Sequence, residues 1–156
     1  MGEAYFYRLT RDPAERVLGM LVARSLDQGL RVALRVGSAD LLSRIDDLLW
    51  MTPPESFVPH GTAEGFAPER QPVLLTTGAA VNDPQALIAA GGAQLAPEDV
   101  AAHVRASLVF DGDDPEAEEA ARAQWRAITA AGFAARYWAQ EGGRWVEKAI
   151  RPAQRE

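Results

Sequence analysis

The sequence predicts a single three-layer α/β domain, a largely parallel sheet with helices on both faces, and three observations carry that expectation. Short apolar runs at residues 4–9, 30–36, 73–77 and 106–110, the first aromatic and the second rich in β-branched residues, are interleaved with longer stretches whose apolar residues recur at helical spacing. The order strand, helix, strand, helix at the start of the chain calls for parallel neighbours joined by right-handed crossovers. The length, 156 residues, suits one domain with a sizeable core, and 47% hydrophobic with 24% charged residues is ordinary for a globular protein. Residues 1–150 are expected to form this Rossmann-like domain and residues 151–156 a frayed tail, since neither an internal repeat nor a composition break divides the chain.

The elements follow in order. Residues 4–9 read as a first strand containing Phe6. Asp12-Pro13 opens a helix: Asp12 is placed to cap the free amides, Pro13 fits the first helical position, and Glu15 complements the helix dipole. Val17, Leu18, Leu21, Val22 and Leu26 share one face, and Gly29 ends the helix. After the second strand, Ser38 caps a helix whose stripe is Leu41, Leu42, Ile45, Leu48 and Leu49. Residues 61–72, rich in Gly, Pro and charge, are expected to be a surface excursion with no element of its own. Residues 85–90 form a short strand after the turn Asn82-Asp83-Pro84, and residues 97–103 a short helix. Asp113-Asp114-Pro115 opens the last long helix with an acidic first turn, and Gly132 is its left-handed stop. Residues 134–140 read as a last strand, with Gly142-Gly143 a turn before Trp145-Val146.

Composition excludes several classes. With no cysteine, disulfides and thiolate metal sites are ruled out, and a reducing cytoplasm is the natural compartment. The opening residues lack a basic, then apolar, secretory pattern, and no apolar segment is long enough to span a bilayer. A net charge of −6 argues against gripping a phosphate backbone as the main task, so contact with DNA is expected to be indirect. Neither G-x-x-x-x-G-K-[ST] nor G-x-G-x-x-G after a strand is present. His60 and His103 lack companions at metal-ligand spacing, and Asp46-Asp47 and residues 111–114 read as helix surface and cap. The expectation is therefore no catalytic residue, no metal and no cofactor.

Two stretches point to binding. The first runs from Leu48 to His60, where an apolar helix gives way to a loop containing Pro53, Pro54 and Pro59. Proline stiffens such a loop, and an aromatic on a pre-ordered segment loses little entropy when a partner covers it. Trp50 and Phe57, with Pro59 and His60, are the candidates; core aromatics beneath a loop are the plainer alternative. The second is the late helix, where Arg122, Trp125, Arg126 and Thr129 fall at i, i+3, i+4 and i+7 and so share a face. Guanidiniums beside an indole suit an acidic peptide with an apolar residue. By pattern alone, a solvated face with one half-buried Trp is the commoner use of such a stripe.

Leu49-Trp50, Pro54 and Ser56-Phe57-Val58-Pro59-His60, with Phe6-Tyr7 before them and Ala121-Arg122-Ala123-Gln124-Trp125-Arg126 and Ala131-Gly132-Phe133 after, resemble the chi subunit family of bacterial DNA polymerase III. The resemblance implies a non-catalytic accessory protein of the clamp-loader complex. It further implies that Arg122, Trp125 and Arg126 meet the acidic, Phe-ending C-terminal tail of single-stranded-DNA-binding protein. The Trp50/Phe57 region would dock the psi subunit, or a helicase. One departure stands out: Glu118 lies one turn before Arg122, where some relatives carry a basic residue, and Arg105 is a candidate replacement. Two other functions compete: a repair adaptor with a helicase at the Trp50/Phe57 face, and a small nucleotide-dependent enzyme on the same fold.

Overall fold

The computed structural model describes residues 2–10, 12–50, 59–142 and 144–154. Its elements are β1 (Glu3–Leu9), α1 (Ala14–Asp27), β2 (Val32–Val36), α2 (Ala39–Trp50), β3 (Gly61–Thr62), β4 (Val73–Thr76), β5 (Ala86–Ala90), α3 (Pro97–Ala102), β6 (Arg105–Asp111), α4 (Pro115–Ala130), β7 (Ala134–Glu141) and β8 (Arg144–Arg151). They build one eight-stranded sheet in the order β3-β4-β2-β5-β6-β1-β7-β8. Every pairing is parallel except β7 with β8. The fold is thus the largely parallel, Rossmann-like α/β architecture expected.

Strand alternation sorts the core into two layers. Val32, Leu34, Val36, Ala86, Ile88 and Val109 pack with Val17, Leu18, Leu21 and Val22 of α1 and with Leu41, Ile45 and Leu49 of α2. The intervening residues Ala33, Leu87, Ala89, Leu108 and Phe110 face the other way, with Ala4 and Phe6, against Val100 of α3 and Ala121 and Ile128 of α4. β5 is buried along its whole length, the burial expected of a central parallel strand covered on both faces. Burying apolar area at roughly 25 cal/mol per Å² is what makes these two layers the main stabilising term.

Local signals mostly act as read. Ser38 Oγ accepts from Leu41 N at 3.3 Å, and Asp114 caps α4 by accepting from Glu116 N and Ala117 N at 3.0 and 3.5 Å. Gly132, with φ +93°, takes the left-handed turn that ends α4. Four expectations are corrected. Pro13, not Asp12, holds the N-cap position of α1, and no side chain caps this helix. Asp12 sits one residue too early to reach the free amides, and its Oδ2 accepts instead from Gln140 Nε2 at 2.8 Å. Residues 61–72 are not elementless: Gly61–Thr62 adds to the sheet edge, and Pro68–Arg70 makes one 3-10 turn. The hairpin partner β8 is a full eight-residue strand, exposed on nearly all positions, which is why its patterning is weak. Arg151 closes that strand and Gln154 N donates to Gly132 O at 2.9 Å, so the end of the chain is tied to the α4–β7 turn through residue 154.

Candidate functional site

α4 is positioned by its buried stripe. Ala121 and Ile128 are fully buried seven residues apart, seating the helix on β1, β6 and β7. Gln124 turns towards α3, where its Oε1 accepts from Leu95 N at 2.6 Å. The face between this stripe and solvent carries Arg122, Trp125, Arg126 and Thr129, as the spacing requires. Trp125 is half-buried, edge-on to Phe6 at 5.3 Å between centroids and to Tyr137 at 6.0 Å. Tyr137 lies nearly parallel to Phe6 at 6.4 Å and meets Phe110 at 6.1 Å. The indole therefore rests on an aromatic floor anchored in the core, and its remaining surface is fixed in place.

Charge surrounds that floor. Arg122 and Arg126 are exposed, on the solvent side of Trp125. Glu118 Oε1 lies 3.3 Å from Arg122 Nη2 and 3.6 Å from Arg8 Nε, so one carboxylate bridges two guanidiniums. Burial pushes the Tyr137 phenol up from its ordinary value; Arg8 opposes the rise, Glu118 adds to it and Arg122 opposes it, which places all three charges around the ring. Thr129 Oγ1 donates back to Trp125 O at 2.8 Å, with Arg126 O at 3.3 Å, so its hydroxyl is engaged by its own helix.

Arg105 does not join this group. It alternates with Ala106 and Leu108 of the α4 layer and so faces the opposite side of the sheet. There it stands 4.9 Å over the Tyr5 ring and lines a cavity of about 280 Å³ with Tyr7 and Arg24. Burial raises the Tyr7 phenol there to about 12, against the opposing pull of Arg105. The basic residue that does join α4 is Arg8, which sequence reasoning missed. Its alternation with Phe6 was legible, but the packing of β1 under α4 was not.

The second predicted region lies at the end of α2. Trp50 is 61% exposed, and its ring meets the His60 ring at 4.9 Å. His60 is itself buried, with Nε2 2.9 Å from Asp46 Oδ1. Asp46 precedes Trp50 by one helical turn, so both sit on the face to which His60 returns the chain. His60 and Asp46 are thus a packing pair. Pro59 is exposed, and Phe57 lies outside the described residues.

The crevice at the carboxyl ends of β1, β5 and β6 is where folds of this kind hold nucleotides. Here it is a cavity of about 520 Å³ lined by Gly91, Gly92, Arg44, Asp111, Asp114 and Glu116, among others. Three carboxylates against one guanidinium make it a poor place for phosphates. Among the described residues, no group of three or more His, Asp or Glu could hold a metal, and no helix is long and apolar enough to cross a membrane.

The domain thus carries a charge-flanked aromatic surface on α4 and an exposed Trp at the end of α2, on a largely parallel α/β fold. The family model described as DNA polymerase III chi subunit, HolC, matches residues 1–136, and the chain belongs to that family. It is accordingly a DNA polymerase III accessory subunit by family. No curated protein matches the chain.

Proposed function

We propose that this chain links the clamp loader to single-stranded-DNA-binding protein by holding the acidic C-terminal tail of that protein on α4. Arg122 and Arg126 pair with tail carboxylates, Trp125 covers the terminal apolar residue, and Thr129 borders the site one turn beyond Trp125. The chain acts by binding and makes or breaks no bond; its contact with DNA runs through its partners, in the cytoplasm. One observation supports this reading above others: Trp125 is half-buried on an aromatic floor with exposed guanidiniums beside it. Rigid aromatics flanked by Arg are the residues that carry binding energy at small interfaces.

A second partner, the psi subunit, is proposed for the end of α2, with Trp50, Phe57 and Pro59 at the contact and the buried His60 packed against Trp50 rather than touching the partner. The exposure of Trp50 supports a docking role there, and it equally suits a repair adaptor that receives a helicase at this face.

The test of tail binding is fluorescence anisotropy of a labelled acidic, Phe-ending peptide titrated with wild type, Arg122→Ala and Arg126→Ala. Salt-sensitive binding that weakens in both variants is expected. Absence of binding by folded wild type at low salt would overturn the α4 assignment.

A further inference from the structure

Arg8 is held by a feature that the tail-binding residues of α4 do not explain. Its side chain lies across Gly112: a Cβ there would come 2.7 Å from Arg8 Cγ and 2.8 Å from its Nε and Cζ. Its Nη2 donates to Gly112 O at 3.0 Å. A bare backbone at residue 112 therefore both makes room for the guanidinium and fixes its plane. Its Nε is buried and, among the described residues, has no hydrogen-bond partner. Glu118 Oε1 stands 3.6 Å from that atom, outside hydrogen-bond reach, while the same oxygen is 3.3 Å from Arg122 Nη2. A buried donor without an acceptor is costly, and a carboxylate placed correctly would satisfy it.

We propose that Arg8 is a further carboxylate-binding residue of the α4 site, and that Glu118 is the internal carboxylate occupying its place until a ligand arrives. This inference rests on the reading of α4 as an acidic-peptide site and deepens it. The ligand is an acidic peptide with an aromatic residue next to its carboxylates. Its aromatic ring covers Trp125, and one carboxylate displaces Glu118 from between Arg8 and Arg122.

Displacement is easy because the Glu118 contacts are weak. The Arg122 side chain is 67% exposed, a setting in which ion pairs contribute little. The Glu118 side chain is itself only partly buried, at 27% exposure. Arg8 and Arg122 meet at the one Glu118 oxygen, 3.6 and 3.3 Å away, beside the Tyr137 ring whose phenol all three charges influence. Glu118 therefore lowers affinity twice over, by pairing the arginines and by repelling the incoming charge.

The test uses the full chain and the same labelled acidic, Phe-ending peptide, with thermal melts to confirm folding. Glu118→Gln is expected to tighten binding about fivefold, and Arg8→Ala to weaken it by a similar factor. Arg8→Lys keeps the charge but not the planar donor set, and is expected to recover only part of the loss. In the Arg8→Ala background, Glu118→Gln should give a smaller gain than in wild type, because one of its two partners is gone. Wild-type binding that Glu118→Gln leaves unchanged or weakens would overturn the role of Glu118 while leaving the α4 site standing. Equal affinity for wild type and Arg8→Ala would remove Arg8 from the site. Binding by neither wild type nor Glu118→Gln would overturn the α4 site and this inference together. Should Arg8→Ala fail to fold, Glu118→Gln and Arg8→Lys decide the matter between them.

Discussion

α4 and the end of α2 each present a tryptophan, and they hold it in opposite ways. Trp125 sits mid-helix on Phe6 and Tyr137, with a fully buried stripe on the same helix beneath. Trp50 is the last residue of its helix, mostly exposed, and leans on a buried histidine that contacts the Asp46 carboxylate. The difference teaches where specificity resides. A ligand on α4 meets a surface whose geometry is set by the core, so its affinity depends on charge and on one fixed ring. A partner at Trp50 meets a residue that is mostly exposed, and must bring surface of its own to order the contact.

Variants that separate the two regions should differ most at the floor of α4. Phe6→Ala removes a fully buried ring under Trp125 and is expected to destabilise the fold by about 3–5 kcal/mol in chemical denaturation. Its tail affinity should fall as well, because Trp125 loses its support. An unchanged midpoint would show that the aromatic floor is not part of the core. Trp125→Ala is next, with a loss of about 2 kcal/mol in tail binding, read by anisotropy, while partners at the Trp50 end bind as before.

His60→Ala should cost about 1–2 kcal/mol of stability by removing the Asp46 contact and the ring beside Trp50. Tail affinity should stay at the wild-type value, since nothing on α4 changes; a matching loss there would couple regions that the packing keeps apart. The smallest effect is expected for Trp50→Ala, within about 0.5 kcal/mol of wild-type stability because the ring is 61% exposed. Its consequence should appear only in pull-down of a partner protein, with tail binding unaffected.

Much of α4 was legible in the sequence because helix signals are local: the Asp114 cap, the Arg122-Trp125-Arg126 face and the Gly132 stop all lie within one short segment. The sheet was legible as a class, since alternation and element order constrain it, but its strand order was not. That gap explains the misplaced residues. Arg105 was considered for α4, and parity places it on the far face. Arg8 had no local signal, because its partner Glu118 is distant in sequence and adjacent only once β1 lies beneath α4. The Asp46–His60 pair was invisible for the same reason, as its members lie 14 residues apart in the sequence. β8 escaped because an exposed edge strand buries little and so has little pattern to read.

The most direct measurement of the α4 assignment is a proton–nitrogen NMR titration of the intact chain with the acidic, Phe-ending peptide. The indole N–H signals of Trp125 and Trp50 report the two regions in one experiment. A tail site on α4 requires the Trp125 indole and the amides of residues 118–129 to move progressively, with Trp50 still. Movement of Trp50 while Trp125 stays fixed would contradict it.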